Sequence, residues 1–151
     1  MSAHDPNYTI VVNWMKKGFG CAKVCSYCNW RDSPLLPHGG QSAEAISTFI
    51  TQCRKGFITI SGGADPLFRF ADYGDQLLAM IQVIKAQGFR VRLITREMQH
   101  IAKLRGIVDY FSVSLDEDVL AGLTPYQGTG WGWISSIRWS CRRCRPLTLC
   151  D

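Results

Sequence analysis

Cys21, Cys25 and Cys28 fall within eight residues, in the run GFGCAKVCSYCNW. Thiolates this close together form a donor set for soft metals, and three of them leave one corner of a four-iron cluster without a protein ligand. An iron with an open corner is a place where a substrate or cofactor binds. The bland alternative is a structural zinc ion, which takes four ligands. No fourth Cys or His lies nearby in sequence, so His38, or Cys141 and Cys144, would have to fold back to complete such a site. The seven cysteines are an odd number, and the N-terminal segment MSAHDPNYTIVVNWMKK has no basic start followed by an apolar stretch, as a secretory signal would. A reducing, cytoplasmic location is therefore expected, where clustered cysteines point to metal before disulfides.

The elements that would position these cysteines follow from periodicity. Residues 8–14, YTIVVNW, are rich in β-branched and aromatic side chains and predict a strand, with the cysteine loop directly after it. Ser42 can cap a helix running to about Cys53, on which Ile46, Phe49, Ile50 and Cys53 share one apolar face. Gly56 stops it, and FITIS at 57–61 is a second strand. A helix from about Asp72 to Gln87 carries Leu77, Met80, Ile81 and Ile84 at the same spacing, and Gly88 ends it. Strands are predicted at 90–95 and 110–115, with a short helix over roughly 97–105 between them and a brief helical segment near 117–122. This alternation implies parallel strands with right-handed crossovers, in an open α/β sheet or part of a (β/α) barrel. In both, reactive groups gather at the C-terminal ends of the strands. The cysteine loop and the turn SGGADP, which follow the first and second strands, would then share one mouth.

Cys-Ala-Lys-Val-Cys-Ser-Tyr-Cys at 21–28 resembles the C-x-x-x-C-x-aromatic-C signature of the radical S-adenosylmethionine (radical SAM) superfamily, with Tyr27 in the aromatic slot. The resemblance covers roughly residues 8–118. It implies that Cys21, Cys25 and Cys28 bind a [4Fe–4S] cluster whose fourth iron chelates S-adenosylmethionine, with Tyr27 along the adenine. It also implies the chemistry: reductive cleavage of S-adenosylmethionine to a 5′-deoxyadenosyl radical that abstracts hydrogen from an unidentified substrate, fed by a low-potential donor such as flavodoxin or ferredoxin.

Two further stretches carry softer parts of the resemblance. The Gly62-Gly63 pair after the second strand lets backbone approach a ligand without Cβ interference, and ordinary strand-to-helix turns use such glycines too. The superfamily has a Gly-Gly-Glu-Pro-like turn here that holds the methionine amino group. This chain has Asp65 as the acid, with Ala64 inserted before it. Either a backbone carbonyl at 62–63 or the Asp65 carboxylate would serve. On the fourth strand, Phe111, Val113 and Leu115 alternate with Ser112 and Ser114, which places the serines on the face away from the helices. Simple amphipathic alternation gives the same pattern. By resemblance, Ser112, Ser114 and Asp116 lie near the cofactor ribose or carboxylate, with Thr95 a weaker candidate of the same kind.

The expected architecture is an α/β fold comprising a partial (β/α) barrel of about four parallel βα units over residues 1–123, with an irregular tail over 124–151. The tail crowds Trp and Arg with Cys141, Cys144 and Cys150 and has no clean period. It suits a metal-binding appendix or a truncated or frameshifted end. Residues 1–130 hold 13 Lys/Arg against 11 Asp/Glu, while 131–151 hold four Arg against one Asp. The basic surplus thus belongs largely to the tail and argues poorly for nucleic-acid binding. No apolar run is long enough to span a membrane. Two other functional readings stand beside the radical enzyme: a zinc-binding structural or interaction module that pairs Cys25/Cys28 with Cys141/Cys144, and a catalytically inactive remnant of the same fold.

Overall fold

A computed structural model describes residues 5–22, 25, 28–115 and 134–139. Four parallel strands, β1 (Asn7–Val12), β2 (Phe57–Gly63), β3 (Arg90–Thr95) and β4 (Tyr110–Leu115), pair in chain order, and helices flank the sheet. The fold is therefore α/β with a parallel sheet, as the alternation predicts. A fifth strand, β5 (Ile134–Trp139), pairs parallel to β4. This differs from the sequence expectation of an irregular tail. ISSIRW lacks a strict two-residue period, so its pairing depends on the edge that β4 offers rather than on local pattern. The remaining tail, and the helical segment expected near 117–122, lie outside the described residues.

Helix α1 (Ala43–Thr51) begins where the sequence places its cap: the Ser42 hydroxyl accepts from the Ala45 N–H at 3.1 Å. Its Ile46 and Ile50 are buried, whereas Phe49, on the same predicted face, stays 42% exposed and stands edge-on to Tyr8. Helix α2 (Phe70–Ala86) buries Leu77, Met80, Ile81 and Ile84, the four residues its period selects. It starts two residues earlier than expected, after Arg69 in a left-handed conformation with φ 50°. The segment between β3 and β4 is a 3₁₀ helix, Met98–Leu104, that buries Ile101 and Leu104.

The core joins these helix faces to the sheet through Ile10, Val12, Ile58, Ile60, Val91 and Leu93. Phe57, Ile58, Thr59 and Ile60 of β2 are all buried, as expected for a parallel strand covered on both faces. Thr59 is satisfied there by donating its hydroxyl to Asn7 Oδ1 at 2.7 Å. Among the described residues, no helix is long and apolar enough to cross a membrane.

Candidate functional site

Beyond the last paired residue of β1 the chain makes a loop organised by Asn13, which is fully buried. Its Oδ1 accepts from the Gly20 N–H at 3.0 Å and the Met15 N–H at 3.2 Å, and its Nδ2 donates to the Gly18 carbonyl at 2.8 Å. A Cβ on Gly20 would lie 2.5 Å from Asn13 Oδ1, so the loop closes this tightly only with glycine there. The Asp65 N–H donates to the Gly20 carbonyl at 3.0 Å, tying the cysteine loop to the turn after β2. Trp14, buried, donates its indole N–H to the Pro66 carbonyl at 2.8 Å and holds the same two segments together from behind.

The loops meet at a cavity of about 210 Å³ at the carboxyl ends of the strands. Cys21, Cys25 and Cys28 line it, with Gly63, Asp65 and Ser114. The expected meeting of the cysteine loop and the glycine turn is thus present, and Ser114 of β4 joins them. Phe19, Trp30 and Ile94 form its apolar wall, and Arg96 its cationic edge. Gly62 belongs to the end of β2. Ser112, 1% exposed, is buried within β4 rather than lining the cavity. Tyr27 and Asp116 lie outside the described residues, as do Cys141, Cys144 and Cys150.

Asp65 is occupied within the protein. Its Oδ1 accepts from the Leu67 N–H at 2.9 Å and the Thr95 hydroxyl at 2.6 Å, and its Oδ2 from the Arg96 N–H at 2.6 Å. One carboxyl thereby clamps the turn after β2 to the end of β3. Burial pushes it above its ordinary pKa, and the hydrogen bonds from Thr95, Arg96 and Leu67 oppose that shift without cancelling it. Glu97, half-buried nearby, is also pushed up, first by burial and then by the charge of Asp65.

The cysteines do not form the implied cluster site. Among the described residues, no group of three or more His, Cys, Asp or Glu side chains could hold a metal ion. The donor set fails the fit for a [4Fe–4S] cluster, so the cluster, its bound S-adenosylmethionine and the radical-generating activity derived from them do not stand. A physical reason lies beside Cys25: the Arg96 guanidinium donates through Nη1 to its sulfur at 2.8 Å. A fixed positive charge at that distance opposes a metal cation on the same sulfur.

Several site residues escaped sequence reasoning. Arg96 has no motif around it and stands 71 residues from Cys25. Asn13 was hidden inside an apolar run that predicts a longer first strand, though a polar residue just before a cysteine loop is a usable signal. Phe19, Trp30, Ser61 and Ile94 carry no pattern that marks a cavity wall. No protein-family model matches the chain, and neither a curated protein nor a solved structure matches it.

Proposed function

We propose that the chain is a catalytically silent derivative of the radical SAM half-barrel, a domain that binds a small molecule at the mouth of its sheet without cleaving S-adenosylmethionine. The observation that carries this reading is one cavity in which the three cysteines meet the post-β2 turn, while the Cys25 sulfur is held by a guanidinium instead of joining a metal-ligand set. Parallel α/β sheets bind ligands outside the carboxyl ends of their strands. The aromatic wall of Phe19 and Trp30 suits a flat apolar body, and Arg96 at the edge favours a negatively charged group. Parallel strands paired in chain order, as β1–β4 are, are what such a half-barrel would require.

Naphthalene-2-sulfonate is a suitable probe, since it joins a flat apolar body to an anion. Titration calorimetry on the reduced full-length chain should show saturable binding at one site, weakened about tenfold or more by Arg96→Gln, in line with loss of a charge-assisted contact. In a parallel assay, protein incubated anaerobically with iron, sulfide, dithionite and S-adenosylmethionine should release no 5′-deoxyadenosine. Release of that product, or probe binding insensitive to both Arg96→Gln and Trp30→Ala, defeats the proposal.

A further inference from the structure

Cys25 and Cys28 stand in a relation that ligand binding leaves unexplained. The Cys28 N–H donates to the Cys25 carbonyl at 3.1 Å. A backbone bond between residues three apart goes with Cα atoms within about 7 Å of each other, and disulfides bridge Cα atoms roughly 4.4–6.8 Å apart. Both residues are thiols, both are partly exposed, and both line the mouth cavity. Arg96 Nη1 lies 2.8 Å from the sulfur of Cys25. In thiol–disulfide exchange the attacking and departing sulfurs carry negative charge in the transition state. A guanidinium at hydrogen-bond distance is placed to stabilise it.

We propose that Cys25 and Cys28 form a thiol–disulfide exchange site whose substrate class is the low-molecular-weight disulfides, with Cys25 as the attacking sulfur, Cys28 as the resolving sulfur and Arg96 as the positioning residue. In the first step Cys25, giving up its proton to solvent, attacks one sulfur of the small disulfide. That S–S bond breaks, one small thiol departs and takes up a proton, and a mixed disulfide remains on Cys25. In the second step the Cys28 sulfur attacks the Cys25 sulfur, the mixed disulfide breaks, and the second small thiol departs with the proton Cys28 releases. The cysteine pair is oxidised by two electrons to an intramolecular disulfide, and the small disulfide is reduced to two thiols. The cavity gives the small disulfide access to Cys25, and the backbone hydrogen bond between the two cysteines keeps Cys28 in reach. The inference goes beyond the ligand-binding reading and does not depend on it.

Glutathione disulfide is the test reagent, applied to the fully reduced full-length chain, followed by alkylation of remaining thiols and tryptic mapping. Cleavage after Lys17, Lys23, Arg31 and Arg54 places Cys21 in peptide 18–23, Cys25 with Cys28 in 24–31, and Cys53 in 32–54. The expected product is peptide 24–31 unalkylated and lighter by two hydrogens, with Cys21 and Cys53 alkylated. Cys28→Ser should accumulate the glutathione adduct on Cys25. Arg96→Gln should slow adduct formation about tenfold and Arg96→Lys restore most of the rate, as expected for a cation acting on a sulfur nucleophile. A doubly alkylated peptide 24–31 in the wild-type chain at equilibrium overturns the proposal without recourse to any variant. A bridge between peptides 18–23 and 24–31 overturns the assignment of Cys28, and equal rates in the Arg96 variants overturn the role of Arg96.

Discussion

Asp65 shows how one residue can look like a ligand-binding acid and serve as a clamp. Its two oxygens accept three hydrogen bonds from Leu67, Thr95 and Arg96, spanning the ends of two strands. Asn at this position keeps one acceptor oxygen and turns the other into a donor facing a donor. Asp65→Asn should therefore destabilise the fold by about 1–3 kcal/mol, measured by urea denaturation. The pH dependence follows from the direction of the shift. The folded-state pKa is raised, so Asp65 adds stability that is full below its unfolded pKa and is lost as pH rises through the folded one. Urea midpoints measured upward from the acid range should fall in the wild-type chain over that window, and this component should be missing from Asp65→Asn.

At the scale of elements, the end of β2 sets the mouth. Gly63 has φ 70°, a conformation that side chains other than glycine rarely adopt, and a Cβ there would lie 2.9 Å from the Val12 carbonyl oxygen and 2.8 Å from Val11 Cγ1. The carbonyl belongs to the neighbouring strand and cannot yield without disturbing the β1–β2 pairing, whose register already shifts between Ile10 and Val12. Gly63→Ala should cost about 1–3 kcal/mol, read from thermal or urea unfolding. It should also speed the reaction of the cavity cysteines with a thiol reagent, because the cysteine loop hangs from this junction. An unchanged thiol reaction rate in a destabilised Gly63→Ala protein would separate the strand junction from the cavity.

At the scale of the whole molecule, an apolar core joins both helices and the 3₁₀ helix to the sheet among the described residues. Leu93, fully buried on β3, sits in the middle of that core. Leu93→Ala should lower stability by about 2–5 kcal/mol, with one cooperative transition in urea reported alike by tryptophan fluorescence and circular dichroism. Separate transitions for the two probes would mean that the mouth and the core unfold independently.

The sequence by itself determined the order of strands and helices from β1 to β4, the Ser42 cap and the buried face of α2. Those properties are local: periods of 3.6 and 2 are written in neighbouring residues, and a cap needs only a hydroxyl before a helical run. It also brought the cysteine loop and the SGGADP turn to one mouth, because parallel topology puts both at the same strand ends. Which polar atoms meet there was a tertiary decision. Arg96 reaches Cys25 and Thr95 reaches Asp65 because β2 and β3 pair in the register that sets Ile60 beside Leu93 and so brings their ends together. A cysteine spacing states how near the sulfurs are along the chain. Only the packed loop, shaped by Asn13 and Gly20, fixes which way they turn, and a guanidinium arriving from a distant strand decides what stands beside them.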